Sequence, residues 1–403
     1  MRILLISSFY PPNVIGGAEI CAQNLANWFT ARGHDVGVLT AATQPGTTGW
    51  RSSIDGYTVY RVTSHHLYPV AAAPRAPAWQ KPIWHLQDLF DPRNKALIDR
   101  VINDFGPDII HIHWIQGLGY NGLEAIARRN IPTLFTLHDL ALVCVRTTMF
   151  KGDRECARPC TLCRFSANRK RAMLAAIPRL GFISPSQATL DTVARLLPIR
   201  NRPSWHIPNP TRYPPPAERT RKPGERLRLL FVGRIEATKG IDFIFEQLAP
   251  LARRHDFTFT VMGKGPALDD LRARYDAEPW VRLTGHVPLQ TVADEMANSD
   301  LLLVPSLWKE NSPGVVFQAL GTGLPIMASD RGGLPELVVP GENGFLVSAG
   351  DASAWTKAID AVLAAPQQLE PLRIGAAASA QRYDPDRLAE AMLAAYQQVM
   401  RQA

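Results

Sequence analysis

A proline-rich segment near the middle of the chain most constrains how this sequence can fold. Seven prolines lie between Asn201 and Gly224. Because proline fixes φ and has no amide donor, we expect irregular backbone throughout this interval. On both sides, short apolar runs alternate with helical patterns, which is typical of parallel α/β domains. The sequence therefore predicts α/β domains at residues 1–205 and 227–385, a linker at 206–226, and a final amphipathic helix at 386–403.

The composition narrows the class of protein. The chain has 403 residues, 46% of them hydrophobic, and a formal net charge of +8, which indicates a globular protein. That charge permits an anionic ligand, an anionic membrane surface or nucleic acid; we expect no nucleic-acid partner. No apolar run reaches the ~18–20 residues of a membrane span, and Ile3–Ile6 is too short for a signal peptide. We therefore expect a cytoplasmic protein with reduced thiols, and with peripheral binding to the inner membrane face as a further hypothesis.

One stretch of the second half reads as a strand that leads directly into a capped helix. Leu301–Val304 is an apolar run that stops at a proline, as in a buried parallel strand. Ser312 and Pro313 then suit the N-cap and the first helical position. We expect the helix to run to about Leu320.

The start of that helix predicts an anion site. The free amides of Gly314 and Val315, together with the helix dipole, suit a phosphate. The carboxylate of Glu310, just upstream, suits the hydroxyl groups of a sugar. The alternative, which this stretch alone leaves open, is an ordinary strand–helix crossover.

Two cations follow an earlier strand of the same half. Arg234 and Lys239 come after the run Leu227–Val232, beside Gly233, and a glycine loop that begins at Gly263 follows the next strand. A guanidinium and an ammonium are suited to a diphosphate. Because loops at the carboxyl ends of parallel strands share one crevice, we expect these groups to join the helix start in a nucleotide-sugar site.

The first half carries its own candidates. Strand Ile3–Ser7 is followed by a glycine turn in which Gly17 would let a ligand approach the backbone. The alternative there is a plain tight turn. His138 stands at the carboxyl end of the predicted strand Thr133–Leu137 and should face the crevice of the sheet. The alternative is a surface histidine capped by Asp139.

Four cysteines lie close together in the sequence. Cys144, Cys156, Cys160 and Cys163 have the spacing Cys-x11-Cys-x3-Cys-x2-Cys. Four thiols in so short a segment suit a structural zinc ion or an iron–sulfur cluster. The alternative is a set of free buried cysteines.

A basic segment follows the cysteines. Residues 164–179 contain five Lys or Arg residues among apolar ones. A basic amphipathic helix of this kind can lie on an anionic bilayer. The alternative is a solvated helix face.

Short motifs on both sides of the linker together match one family. They are Gly233-Arg234-Ile235 with Lys239-Gly240, Glu310 with Ser312-Pro313-Gly314, Gly332–Glu336 and Gly341–Gly344, and, in the first half, Gly16–Glu19, Asp108–His113 and Thr136–Asp139. The chain resembles the retaining GT-B glycosyltransferases of family 4, often called the glycosyltransferase group 1 family. The resemblance implies two facing Rossmann-like domains, with the C-terminal helix crossing back to the first, and no catalytic metal.

The resemblance also implies a reaction. A hexose would pass with retention from a nucleotide-diphosphate sugar to a glycan or lipid-linked acceptor, in cell-surface polysaccharide or glycolipid synthesis. Arg234, Lys239 and the helix amides would stabilise the leaving diphosphate. Glu310 would bind the hexose, and His138 would contact it from the opposite domain.

One position departs from the family pattern. The second acidic residue of the family's Glu-x7-Glu segment, which would bind the ribose, is Gln318 here. This leaves open a catalytically weak nucleotide-sugar-binding homologue or scaffold subunit. A GT-B epimerase or phosphorylase is a further alternative. An NAD dehydrogenase is not, since no Gly-x-Gly-x-x-Gly follows the first strand.

Overall fold

A computed structural model describes residues 1–42, 50–73, 75–151, 154–197, 199, 201–220 and 224–402. These residues form two compact units: one extends to Thr211 and includes the chain from Pro385 onward, and the other spans Arg212–Asp384. The division falls inside the predicted linker, of which residues 221–223 lie outside the described part. No described helix is both long and apolar enough to cross a membrane.

The first unit is built on a sheet of mainly parallel strands. Its strands are β1 (Arg2–Ser7), β2 (Asp35–Ala41), β3 (Ser52–Ile54), β4 (Tyr57–Val62), β5 (Ile109–Trp114), β6 (Thr133–Thr136), β7 (Phe150–Lys151), β8 (Arg154–Glu155), β9 (Leu180–Ser184) and β10 (Ser204–His206). The sheet order is β10-β9-β6-β5-β1-β2-β4-β3, with only β3 antiparallel to its neighbour. β7 and β8 form a separate antiparallel hairpin.

Helices cover the sheet of the first unit, because its strands are apolar along both faces. They are α1 (Gly17–Ala31), α2 (Gln80–Phe90), α3 (Pro92–Phe105), α4 (Gly122–Arg128), α5 (Thr161–Ala175) and α6 (Gln187–Leu196).

One expectation for this unit needs correction. The interval between Asn201 and Gly224 is not wholly irregular, because Ser204–His206 pairs with β9 at the edge of the sheet. An edge strand tolerates the nearby prolines, since only one of its sides must donate hydrogen bonds. Residues 50–95 of this unit contain β3, β4 and α2, while residues 43–49 lie outside the described part.

The second unit contains an all-parallel sheet with the Rossmann strand order. Its strands are β11 (Leu227–Val232), β12 (Phe257–Met262), β13 (Val281–Gly285), β14 (Leu301–Val304), β15 (Ile326–Ser329) and β16 (Gly344–Val347). The order is β13-β12-β11-β14-β15-β16. The chain builds outward from β11 to one edge and then returns to the centre at β14. In such sheets ligands bind beyond the carboxyl ends of the strands at this reversal.

The helices of the second unit pack on both faces of that sheet. They are α7 (Ile241–Leu251), α8 (Leu268–Tyr275), α9 (Leu289–Ala297), α10 (Gly314–Gly321), α11 (Leu334–Leu337), α12 (Ala352–Ala364) and α13 (Leu369–Ala380). The predicted cap of α10 was wrong by one residue. Pro313 is the N-cap, with φ −70° and ψ 120°, and no side chain caps the helix. Because Pro313 is extended rather than helical, Ser312 lies too far out to reach the first-turn amides.

The last helix, α14 (Pro385–Met400), belongs to the first unit. Its buried side chains join the core formed by α1 and the sheet of that unit. The indole of Trp28 donates a hydrogen bond of 2.7 Å to Asp386. The hydroxyl of Tyr396 lies 2.6 Å from Nδ1 of His111 on β5.

Candidate functional site

The reversal point of the second sheet carries a buried ion pair. Lys239 follows β11 and Glu310 follows β14, and these two strands are hydrogen-bonded neighbours. The Lys239 ammonium lies 2.6 Å from Oε1 of Glu310. The structure therefore brings together these two predicted residues.

Two further donors fix the Glu310 carboxylate. Oε1 also accepts hydrogen bonds from Ser306 Oγ at 2.6 Å and Trp308 Nε1 at 2.9 Å. Glu310 is 5% exposed. Burial alone would raise its pKa, but the Lys239 charge and the three hydrogen bonds outweigh burial and lower the pKa. Glu310 is therefore ionised at neutral pH, and the sequence pattern did not reveal the donors Ser306 and Trp308.

The backbone around Glu310 is held by a glycine pair after β15. The Gly333 amide donates to the Glu310 carbonyl at 2.8 Å. Gly332 has φ +60°, and a Cβ there would lie 2.0 Å from the Glu310 carbonyl oxygen. Only glycine fits this position, so the Gly332-Gly333 motif positions the carboxylate.

Arg234 does not take part in the ion pair. Its guanidinium binds Glu236 at 2.7 Å, and 55% of its side chain is exposed. A diphosphate at this loop would have to compete with Glu236 for Arg234.

Gly233 and Gly263 have a packing role. Their amides donate to the carbonyls of Met262 at 3.0 Å and Gly285 at 2.8 Å, so neither amide is free for a phosphate. A Cβ on Gly263 would lie 1.8 Å from the Gly233 carbonyl oxygen. The two glycines therefore let the loops after β11 and β12 approach each other.

The start of α10 offers backbone donors beside the ion pair's loop. The first amides of a helix, here those of Gly314 and Val315, have no acceptor within the helix. A Cβ on Gly314 would lie 2.3 Å from the Tyr213 hydroxyl. A larger residue at position 314 would therefore have to displace the Tyr213 hydroxyl, which belongs to the same unit.

Two buried polar atoms near α10 lack a hydrogen-bond partner within the described part of the chain. They are Ser312 Oγ and Gln318 Nε2. Gln318 lies one turn into the helix and is 5% exposed. An unpaired buried polar group costs about 1–3 kcal/mol. A polar ligand at this helix start would satisfy them.

His138 stands at the carboxyl edge of the first sheet. Its Nε2 lies 2.9 Å from Nδ1 of His113, and the rings stack at 5.1 Å. Burial lowers the pKa of His138 to about 3. At neutral pH His138 is therefore an uncharged hydrogen-bonding group and not an acid.

Gly17 is the first residue of α1 and belongs to the first unit, unlike the other predicted donor-binding residues. The turn before it is held by a 2.9 Å hydrogen bond from the Gly16 amide to Glu19. A Cβ at Gly17 would have no atom within 4 Å. The space beside this turn is open.

Comparisons with known families cover both units. The family model described as Glycosyltransferase Family 4 matches residues 15–212. The one described as Glycosyl transferases group 1 matches residues 226–365. The chain belongs to these glycosyltransferases.

Curated relatives of this glycosyltransferase align over most of its length. A D-inositol 3-phosphate glycosyltransferase of Jonesia denitrificans is 28% identical over 72% of this chain and 71% of its own. A GDP-mannose-dependent alpha-mannosyltransferase of Mycobacterium tuberculosis is 27% identical over 87% of this chain and 85% of its own.

Solved structures share the fold of the glycosyltransferase. Sucrose-phosphate synthase from Thermosynechococcus elongatus has a TM-score of 0.77 at 20% identity, with both chains fully covered. HepE from Anabaena, in complex with UDP, has a TM-score of 0.71 at 19% identity, covering 99% of this chain and 100% of its own. The fold is GT-B, with two Rossmann-like domains.

Three of the four predicted metal-binding cysteines of the glycosyltransferase have a thiol in contact with another thiol of the set. Sγ of Cys163 lies 3.9 Å from Sγ of Cys144, and the Cys160 thiol interacts with that of Cys163. Cys156 is half-buried. A different group, which the sequence pattern missed, places ligand atoms of Cys21, His113 and His138 within 4.8 Å of one another.

The basic segment forms most of α5, but its lysine points inward. Lys170 is 2% exposed, and its ammonium lies 2.6 Å from the Ala141 carbonyl and 4.1 Å from the Tyr120 ring centre. Burial lowers the pKa of Lys170 to about 8. Arg169 pairs with Glu124. Lys170 therefore does not contribute to the positive charge of the protein surface, whereas Arg164 and Arg171 are exposed.

Proposed function

We propose that this glycosyltransferase moves a hexose, with retention of configuration, from a nucleotide-diphosphate sugar to a glycan or lipid-linked acceptor. The observation that carries the proposal is the Lys239–Glu310 pair at the reversal point of the second sheet. It sets a cation and a carboxylate at the edge where such sheets bind nucleotides.

The leaving diphosphate gains negative charge as the glycosidic bond breaks. Lys239, Arg234 and the first amides of α10 supply fixed positive groups for that charge, and such preorganised electrostatics contribute most of the rate. A diphosphate oxygen on the same face would accept the proton of the acceptor hydroxyl. This gives retention without a side-chain base.

Glu310 is suited to bind the hexose. The three hydrogen bonds described above all end on Oε1. Oε2 of the same ionised carboxylate can accept from sugar hydroxyl groups. Lys239 would keep Glu310 in place while it also contacts the diphosphate.

The amide at position 318 supports donor binding over the alternative of a weak homologue. Gln318 Nε2 is a buried donor with no acceptor among the described residues. A ribose hydroxyl oxygen would satisfy it, and the amide oxygen can accept from the neighbouring hydroxyl.

A panel of nucleotide sugars tests the donor assignment. We expect one or more UDP- or GDP-linked hexoses to raise the thermal midpoint and to be consumed, with the anomeric configuration of the product, read by NMR, unchanged. Lys239→Ala and Arg234→Ala should lower transfer by roughly 100–1000-fold. The exposed Lys357 of α12 provides the control Lys357→Ala.

Three results would contradict the proposal: near-normal transfer in both variants, an inverted product, or binding of a donor without transfer to any acceptor. An isomerised donor without acceptor would indicate an epimerase. A requirement for inorganic phosphate would indicate a phosphorylase.

An exposed apolar face favours a membrane-embedded, lipid-linked acceptor. Four large side chains at spacings of four, three and four residues lie at the N-cap and along one side of α2, and two more lie on α5. Phe90 and Phe165 connect the helices, with ring centres 6.1 Å apart. The six exposed residues are Trp79, Ile83, Leu86, Phe90, Leu162 and Phe165; we call them the apolar face.

The charge beside the apolar face suits an anionic bilayer. Helix α5 carries four basic residues and no acidic one, of which Arg164 and Arg171 are exposed. Near an anionic surface each such residue contributes about 1 kcal/mol. Exposed aromatic and aliphatic groups beside basic ones are typical of interfacial helices.

Vesicle binding tests this part of the proposal. We expect the protein to bind phosphatidylglycerol vesicles at low salt, less at high salt, and weakly to neutral vesicles. Phe165→Ser with Leu86→Ser, or Arg164→Glu with Arg171→Glu, should each reduce binding at least tenfold. The control is Ile374→Ser, since Ile374 is 70% exposed on α13 in the other unit. No binding to anionic vesicles, or efficient transfer to a water-soluble acceptor alone, would refute the membrane location and leave the donor proposal intact.

A further inference from the structure

We propose that Cys144, Cys156, Cys160 and Cys163 together hold one zinc ion, which orders the β7–β8 hairpin and the start of α5. Glycosyl transfer as described above does not need this zinc ion. The proposed role of the zinc ion is therefore structural, within the first unit.

The spacing between two of the sulfur atoms fits a single metal ion. Sγ of Cys144 and Sγ of Cys163 are 3.9 Å apart. With zinc–sulfur bonds of about 2.3 Å and tetrahedral angles, two thiolates on one zinc ion lie about 3.8 Å apart. A disulfide would need about 2.05 Å, so these two groups are free thiols in contact, and their separation is close to that of two thiolates on one zinc ion.

Short backbone hydrogen bonds hold the four residues on one compact segment. The Cys144 amide donates to the Leu140 carbonyl at 2.8 Å, and the Cys156 amide, directly after β8, donates to Met149 at 2.7 Å. Cys160 is the N-cap of α5 and Cys163 lies in its first turn. A separation of three residues places both thiols on the same side of a helix, and the two thiols interact.

The exposure of two of the four cysteines argues against a role as ordinary core residues, although Cys144 and Cys163 are buried. Cys160 is exposed and Cys156 is half-buried, whereas free cysteine is among the most buried residue types. The β7–β8 hairpin has two residues in each strand, and an isolated hairpin of this size is at best marginally stable. A metal bond supplies folding free energy that so small an element cannot obtain by burial.

The Cys21, His113 and His138 group is the competing place for a metal. Among the described residues its ligand atoms all lie within 4.8 Å of one another, whereas no three of the four proposed cysteine thiols come that close together. In the histidine group, however, Nδ1 of His113 and Nε2 of His138 lie 2.9 Å apart and satisfy each other. Those two nitrogen atoms would have to break this hydrogen bond to bind a metal. Cys21 therefore serves as the matched control: it is a buried free cysteine of the same unit.

Elemental analysis of anaerobically purified full-length protein tests the proposal. We expect about one zinc ion per chain in the wild type and in Cys21→Ser. Cys144→Ser and Cys163→Ser should lose at least tenfold in zinc content. Zinc absent from the wild type, zinc lost in Cys21→Ser, or an iron–sulfur absorption band would each overturn it.

Exposed Cys160 provides a test that does not depend on a buried substitution. Histidine can replace cysteine as a zinc ligand, so Cys160→His should keep the metal while Cys160→Ala should lose it. Replacement of zinc by Co²⁺ should give the visible bands of tetrahedral thiolate coordination. Equal zinc content in Cys160→His and Cys160→Ala, or octahedral cobalt spectra, would refute ligation by this residue.

Discussion

Removal of the Lys239 charge should destabilise the second unit, because it leaves the Glu310 carboxylate buried without a counter-charge. Breaking a buried ion pair by removing one partner typically costs about 3–5 kcal/mol. In Lys239→Met, Ser306 and Trp308 still donate hydrogen bonds to Glu310. We therefore expect the free energy of unfolding to fall by about 3 kcal/mol, the lower end of that range.

Removal of the Glu310 charge should lower the free energy of unfolding by less than removal of the Lys239 charge. In Glu310→Gln the remaining ammonium is more accessible, since the Lys239 side chain is 19% exposed and that of Glu310 is 6% exposed. Lys239 also keeps its position 4.8 Å from the Trp308 ring centre. We expect a loss of about 1.5 kcal/mol, the low end for a hydrogen bond to a charged group. The double variant, without either charge, should be more stable than Lys239→Met alone.

A double-mutant cycle measures this coupling. Denaturant unfolding of the wild type, both single variants and the double variant gives the free energies, and transfer assays on the same proteins give the rates. All three variants should lose roughly 100–1000-fold in rate, even where stability recovers. If the single losses in stability add to the double loss within about 0.5 kcal/mol, the two groups are not coupled and the reasoning fails.

Three further changes test other parts of the structure. Gly332→Ala should lower the free energy of unfolding by about 2 kcal/mol or more. The new Cβ would clash with the Glu310 carbonyl, and the backbone at this position is left-handed. Gly341 has φ +79° and open space around it, so Gly341→Ala introduces the backbone strain without a clash and should lower the free energy of unfolding by less. Equal losses in the two variants would contradict a clash at Gly332. Gln318→Glu should tighten nucleotide-sugar binding about tenfold in calorimetry, and unchanged affinity would remove residue 318 from the ribose site. Burial lowers the pKa of His111 from 6.5 to about 3, so between these values the unfolded chain binds more protons and acid destabilises the fold. From pH 7 to 5 His111 alone should account for a loss of about 2 kcal/mol, and the total loss should be smaller by about that amount in His111→Asn.

Local sequence signals located much of the second unit. β11 and β14 have the predicted bounds, because each is an apolar run that ends at glycine or proline. The cap of α10 was misplaced because the φ of Pro313 fits both an extended cap and a helical first residue. The inward direction of Lys170 depends on contacts with Ala141 and Tyr120, which lie far away in sequence. The donors to Glu310 were missed for the same reason: only the folded loop brings Ser306 and Trp308 onto one oxygen atom.

Assignment of α14 to the first unit has a consequence for the order of events during synthesis. The first unit takes one of its helices from residues that the ribosome makes after the whole second unit. Until then, the His111 ring lacks its Tyr396 partner and the indole of Trp28 lacks Asp386. The nascent first unit therefore carries an uncovered apolar groove while the second unit is being made. Loss of residues 385–400 would therefore destabilise the first unit and leave the core of the second unit unchanged.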